Sequence, residues 1–503
     1  MKKLVSLLLV LMLTACLLPA AVAEAPEGYP AVVEGIDFGG KTLYISPFYE
    51  QMDINPAKRD ENPDEDQQAT YDYEDWIMKT YNVNVVFEQV GTWGDNQIPE
   101  IQNFLSKGDT SELRMYITPS GFVGNPIANG WFADWKNNEL IDWNSDWYNS
   151  VDVDFMTKGD KIYGVSTSAY SEPRACVFFN KKLLEDAGID WNTIYDMQKD
   201  GTWTFAEFEK LVAQMHKDID ADGVIDIYGI TGNVNDLYIN AVFSNGGSFF
   251  NTDENGKLVI TAGSDNTIEA LAWVADLWKT YGRAQNWPDE DWDFFVDIFK
   301  SGKAAFCIHQ TYGGYNEQAD FTGMEDQWGC VAIPKGPKGD KYLSVVNDNI
   351  AVVPSIYDEA TTKAIEYIYY LWSQTTPGVD DEEAWIGKKY EICRGDTRAV
   401  DETYAMLREP EHAAMDKSVY LGNANLVLGS DTYGNYLWGM LWSTPASLLE
   451  GITPAWEGMC AVFNGDMTEA EFQQKMEEKK AADEAAAAAA AAEETPAEET
   501  KAE

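Results

Sequence analysis

Short apolar runs alternate with amphipathic stretches along most of this chain. Lys41 to Ser46 and Val83 to Phe87 read as strands, with an acidic, proline-bearing loop and an amphipathic stretch around Trp76 to Tyr81 between them. Ile98 to Ser106 predicts a helix and Arg114 to Thr118 the next strand. Lys161 to Val165 and Ala175 to Asn180 predict further strands, and Lys181 to Ala187 a helix stopped by Gly188. Thr204, with Glu207 three residues on, has the form of a capping box ahead of a helix from Phe205 to His216. Asn266 to Tyr281 carries Ala270, Trp273, Val274 and Leu277 on one helical face, and Trp292, Phe295 and Phe299 keep the same spacing before a strand from Lys303 to Ile308. Helix and strand patterns that alternate in this way predict α/β architecture. From Asp466 the chain changes to Glu, Lys and eight consecutive alanines, a helix expected to fray into a disordered tail.

Composition narrows the function. The 503 residues carry 84 acidic and 36 basic side chains, a formal charge of −48. Such an excess excludes nucleic acid as a partner, because phosphates need a basic footprint, and it disfavours an anionic membrane surface. Length predicts more than one compact unit. Lys2 and Lys3 precede an apolar run, Leu4 to Leu13, that is too short to span a bilayer, which is the pattern of an export signal. Two processing sites compete: cleavage after Ala23, or a lipobox ending at Cys16, which would then carry lipid. Beyond Ala23 lie five cysteines. Cys176, Cys307 and Cys330 fall in apolar strands and read as buried thiols, and a Cys393–Cys460 disulfide stays open.

Four stretches come in a recognisable order. They are Tyr163-Gly164-Val165 followed by Phe178-Phe179-Asn180-Lys181-Lys182-Leu183 and Ala187-Gly188; Gly201-Thr202-Trp203-Thr204-Phe205-Ala206-Glu207-Phe208; Phe299-Lys300-Ser301-Gly302-Lys303-Ala304-Ala305-Phe306; and Ile333-Pro334-Lys335-Gly336-Pro337. Together they resemble the extracellular solute-binding proteins of ABC importers, in the sugar-binding group that includes maltose-binding protein. The resemblance covers roughly residues 36 to 465. It implies a two-lobe periplasmic-binding-protein-like α/β fold with crossing hinge segments and a ligand cleft, whose closure a membrane permease reads. The implied division is a signal peptide over 1–23, lobe 1 over 36–168 plus about 347–388, lobe 2 over 169–346 plus about 389–465, and a tail over 466–503. Where the family often has a Trp, this chain has Tyr312, a smaller stacking ring.

The sharpest chemical motif is Asp218-x-Asp220-x-Asp222-Gly223-Val224-x-Asp226. It matches the start of an EF-hand calcium loop. The three alternate carboxylates, Asp226 and the Val224 carbonyl offer five oxygen ligands, and Gly223 permits the sharp turn. The bidentate Glu expected at position 12 is replaced by Gly229. The motif therefore predicts a structural calcium ion completed by waters or a distant ligand, against the alternative of a solvated acidic turn.

The 18 Trp, 26 Tyr and 21 Phe need a reason. Sugar rings lay apolar C–H faces on aromatic rings while their hydroxyls seek Asp, Asn or Arg. Aromatics in loops after strands are the candidates: Tyr49 beside Glu50, Trp131, Tyr170, Tyr312 and Trp438. Arg174 is a candidate clamp, and the resemblance adds Asn347 and Asp348 on the return strand. Asp236 and Tyr238 rank below these. Trp273, Trp278 and Trp372 keep helical spacing and read as core.

Three scattered histidines, and the absence of any G-x-S-x-G or phosphate-binding loop, argue against catalysis. Arg394-Gly395-Asp396 reads as a chance match to an adhesion tripeptide. The expectation is a monomeric, non-enzymatic carbohydrate-binding subunit partnered by ABC permease subunits. A glycan-capture or sensor protein without a permease, and an exported glycoside hydrolase, are the competing readings.

Overall fold

A computed structural model describes residues 25–49, 55–92, 97–145, 148–166, 168, 170–286, 289–315, 319–346, 348–379, 381–421 and 443–493. Two compact units emerge. The first comprises residues 1–116, 138–142 and 356–382; the second comprises 117–137, 143–355 and 383–503.

The first unit is built on β1 (Thr42–Pro47), β2 (Asn84–Phe87) and the start of β3 (Leu113–Pro119), in the order β2-β1-β3. β1 and β2 run parallel, with Leu43 opposite Val85 and Ile45 opposite Phe87. A parallel pair needs a crossover, and the helix Glu65–Thr80 supplies it. That helix has a capping box that sequence patterning did not single out. Asp64 accepts from Gln67 N–H, and the Gln67 side chain accepts from Asp64 N–H. Tyr73 and Ile77 of this helix are buried, and it packs on the helix Glu359–Trp372. Tyr81 and Tyr367 meet edge to face at 5.9 Å.

The second unit contains the small pairs β4 (Thr157–Lys158) with β5 (Lys161–Ile162), then β6 (Val165–Ser166), β7 (Ala175–Asn180), β8 (Tyr228–Gly232) and the hairpin β9 (Phe250–Thr252) with β10 (Leu258–Ile260). It continues through β11 (Ala304–Gln310), β12 (Trp328–Ala332), β13 (Ser344–Val346), β14 (Asn349–Val352) and β15 (Ala413–Met415). Its central sheet has the order β12-β7-β11-β8, antiparallel except for the parallel pair β11–β8. β7 and β12 are buried throughout, as expected for strands covered on both faces. Cys176, Cys307 and Cys330 lie within this sheet as free thiols.

Several sequence expectations change. Lys161 to Val165 is not one strand but two short ones, β5 and β6, broken at Gly164, where a Cβ would meet Ala351 O at 2.7 Å. Thr204 occupies the N-cap of Phe205–Met215 but makes no side-chain cap bond. Its backbone is taken up by a bridge to Lys335, Phe205 N–H donates to Lys335 O, and Glu207 pairs instead with Lys210. Cys393 and Cys460 are separate free, buried thiols. Asp396, from the adhesion-like tripeptide, is buried and ion-paired with Lys181 at 2.6 Å, so no partner can read it. Residues 117–137 and 143–168 cluster with the second unit, because β6 pairs with β14 and residues 131–133 pair with 353–355.

Candidate functional site

Three strand ends of the second unit deliver side chains to one place. The β7–β11 register sets Ala175 opposite Gln310, so Arg174 and Thr311 come side by side, and Thr311 N–H donates to Arg174 O at 3.0 Å. β8 runs parallel to β11, with Gly232 opposite Ile308, so Asn233 and the helix Val234–Ser244 begin beside Gln310. Gly232 adopts φ +130°, and a Cβ there would sit 2.1 Å from Ile308 O. Only glycine lets the two backbones approach this closely and turn the chain into the helix. Asn233 then caps the helix through Asn235 and Asp236 N–H.

The resulting cluster joins Arg174, Asp236, Gln310 and Tyr312. Gln310 Nε2 donates to Asp236 Oδ2 at 3.4 Å. Burial raises the Asp236 carboxyl above its ordinary value, opposed by the positive charge of Arg174 and by the Gln310 hydrogen bond. Tyr312 heads the short helix Tyr312–Tyr315; burial raises its hydroxyl, and Asp320, Arg174 and Asp236 lie within electrostatic reach. Its ring stands edge-on to His309 at 5.2 Å, and His309 Nε2 is held by Asp320 Oδ2 at 2.7 Å. An aromatic ring beside a carboxylate, an amide and a guanidinium is the donor, acceptor and stacking set that a sugar ring requires.

Beside it, Glu172 Oε1 accepts from Tyr404 OH at 2.5 Å and from Thr311 Oγ1 at 3.1 Å. Tyr170 is 44% exposed, with the Arg408 guanidinium 4.5 Å from its ring centroid. Sequence reasoning named Tyr170, Arg174 and Tyr312. It ranked Asp236 lower and missed Glu172, Gln310, Tyr404 and Arg408. Gln310, two residues before Tyr312 at a strand end, carried a local signal; Tyr404 and Arg408 lie more than 230 residues from their partners and carried none.

Other expected residues are placed elsewhere. Tyr49 stands in the first unit, 37% exposed and edge-on to Phe48. Trp131 is half-buried; its N–H donates to Pro126 O and its carbonyl accepts from Ser355 N–H. Asp348 is buried and accepts from Glu172 N–H at 3.0 Å. Glu50, Asn347, Trp438 and Cys16 lie outside the described residues. Trp278 and Trp372 are core residues, while Trp273 stacks flat on Phe205 at 3.7 Å.

The acidic loop is closed at its base by the Lys217–Ile227 bridge. Carboxylate oxygens of Asp218, Asp220 and Asp222 lie within 4.8 Å of one another. Gly223 N–H donates to Asp218 Oδ2, Val224 N–H to Asp222 Oδ1, and Ile219 N–H to Asp226 Oδ2. Ala221 at φ +59° and Gly223 at φ +89° give the turn its curl. The three alternate carboxylates converge as an oxygen-seeking cation requires.

Fold and site together define a binding protein of the periplasmic type. Residues 60–372, more than half of the chain, match the model of the bacterial extracellular solute-binding proteins, and the chain belongs to that family. Membership makes it an exported protein. No helix among the described residues is long and apolar enough to cross a membrane. Among solved structures, the chain is similar to an ABC substrate-binding protein of Listeria monocytogenes in complex with cycloalternan, with 15% identity, TM-score 0.55, and coverage of 85% of this chain and 99% of that one. It is similar to UspC of M. tuberculosis, with 17% identity, TM-score 0.55, and coverage of 85% and 100%. It is also similar to the GacH receptor of Streptomyces glaucescens, described unliganded and with acarbose, with 16% identity, TM-score 0.52, and coverage of 84% and 98%. At these identities the likeness is one of fold. No curated protein sequence matches the chain significantly.

Proposed function

We propose that this chain is the substrate-binding component of an ABC importer. It captures a carbohydrate, an oligosaccharide by preference, and presents it to permease subunits in the membrane. The observation that carries this reading is the Tyr312 ring set beside Arg174, Asp236 and Gln310. The oligosaccharides named for the Listeria and Streptomyces proteins support the same ligand class. The protein acts as a monomer and performs no catalysis. An overall charge of −48 favours a neutral ligand over an anionic one. Calorimetric titration of the purified protein against a panel of neutral oligosaccharides tests the proposal. Micromolar or tighter binding of at least one, weakened in Tyr312→Ala, is expected. Silence across the panel with binding of peptides would overturn it.

A calcium ion held by Asp218, Asp220, Asp222, the Val224 carbonyl and Asp226 is proposed as structural support for the 218–226 loop; the convergent carboxylates favour it. The N-terminal segment is proposed to direct export, with either lipidation at Cys16 anchoring the protein to the membrane or cleavage after Ala23 releasing it.

A further inference from the structure

The segment that carries Tyr170, Glu172 and Arg174 is fastened to its neighbour by a ladder with side-chain rungs. Ser344 Oγ accepts from Arg174 N–H at 2.9 Å, Pro173 bridges Val346, and Asp348 Oδ1 accepts from Glu172 N–H at 3.0 Å. The backbone of Asp348 extends the hold, because Ser120 N–H donates to its carbonyl at 3.0 Å. Behind the last rung lies Asp152, on the helix Ser150–Phe155, at 0% exposure. Neither Asp152 oxygen, nor Asp348 Oδ2, receives a well-formed hydrogen bond from any donor among the described residues. What Asp152 faces are the Asp348 carboxyl, at hydrogen-bonding range, and the Ser166 hydroxyl. Asp348 faces Asp152, Ser171 and the backbone of Glu172.

Among the described residues, the surroundings offer no neutralising cation. β6 presents Ser166, and the 171–172 segment presents Ser171 and Glu172. Glu172 adds like charge and is engaged by Tyr404 and Thr311. β15, which also packs on this helix, is followed by Asp416, which accepts from Ser418 N–H, and by Lys417, whose Nζ donates to Thr252 Oγ1 at 2.9 Å. Two carboxylates buried in contact cannot both be ionised at such a site, since each would lose hydration and repel the other.

We propose that Asp152 and Asp348 share one buried proton, and that this proton latches the 170–174 segment in a pH-dependent way. The proton sits between the two carboxyls, one donating and the other accepting, so that Asp348 stays free to accept from Glu172 N–H. Burial raises both groups, and the negative charge of its partner raises Asp152 further. The folded chain therefore holds a proton that the unfolded chain releases near its ordinary carboxyl value of 3.8. The stabilisation is complete below that value and is lost as pH rises through the folded pair. The latch does not depend on which solute is bound.

Thermal unfolding of the full chain at pH 5 and pH 8 tests the latch, comparing wild type with Asp152→Asn, whose amide donates to Asp348 without needing a proton. The wild-type melting temperature is expected to fall relative to the variant's by roughly 2–4 °C between the two pH values. The variant should equal or exceed the wild type at pH 8. Glu74, which burial also raises, to about 7, titrates in both proteins and cancels in the comparison. Parallel profiles would overturn the proposal. A destabilising effect of chelator at pH 8 that vanishes in Asp152→Asn would also overturn it, because the pair would then hold a metal ion. If the variant fails to fold, infrared spectroscopy of Glu74→Gln combined with Asp236→Asn, which removes the other carboxyls named here as raised by burial, decides: a protonated-carboxyl band persisting above pH 5 supports the shared proton, and its absence refutes it.

Discussion

Tyr404 donates its hydroxyl hydrogen to Glu172 Oε1 at 2.5 Å, joining two residues 232 positions apart in the chain. Tyr404 is buried, and its ring stacks on Tyr315 at 4.3 Å, so the hydroxyl has no freedom to seek another acceptor. Tyr404→Phe keeps the stack and removes only the hydrogen bond. Bonds to charged acceptors contribute about 1.5–3 kcal/mol. The variant is expected to lose stability of that order in urea unfolding with an unchanged m-value. A loss below about 0.5 kcal/mol would show that this bond adds little net stability.

Tyr312 is the ring on which the carbohydrate reading turns. Replacing it by Ala removes an aromatic face whose burial against ligand contributes about 1.5–3 kcal/mol. Affinity for the best-binding oligosaccharide is expected to fall roughly 10- to 100-fold, while Tyr312→Phe stays within about threefold of wild type. Calorimetry on the three proteins separates ring stacking from hydroxyl chemistry.

The acidic loop gives a prediction in metal removal. An ion bound only by the native state stabilises it by mass action, about 2.7 kcal/mol at a hundredfold excess over its dissociation constant. Chelator should lower the melting temperature, excess calcium should restore it, and Asp220→Asn combined with Asp222→Asn should abolish the response. Equal melting temperatures with and without chelator, and no metal by mass spectrometry, would remove calcium from the description of this protein.

Lys181 and Asp396 form a buried ion pair at 2.6 Å. Asp396 also accepts from Tyr195 OH at 2.7 Å, and Lys181 Nζ lies 4.1 Å from the Trp191 ring centroid. Removing one partner strands the other charge in the interior. Lys181→Met is expected to cost about 3–5 kcal/mol. The double change Lys181→Met with Asp396→Asn should recover part of that, a non-additivity that calorimetric melting would measure.

Much of the fold was legible because burial writes itself locally. The continuous apolar runs of β7, β11 and β12 and the helical face around Val274 and Leu277 follow from period alone. Gly188, at φ +74°, ends its helix where expected. Tyr312 was legible as the first aromatic after a buried strand. Glu172 and Arg408 were not, since their roles depend on which distant segments the fold brings beside them. The capping boxes show how far local grammar reaches. Thr204 has the right sequence but loses the bond to a backbone bridge with Lys335, whereas Asp64 and Gln67, inside a stretch that read as an acidic loop, form one completely.

The five described cysteines are free and buried, and burial holds the thiols of Cys307 and Cys330 well above their ordinary value, away from the reactive thiolate form. For an exported protein this has a consequence for its life outside the membrane. Maturation of these residues as free thiols needs no oxidoreductase and no pairing decision. The vulnerable moment is before the sheet closes, when Cys176, Cys307 and Cys330 are still exposed to oxidants. Speed of folding after secretion, not bond formation, then protects the chain.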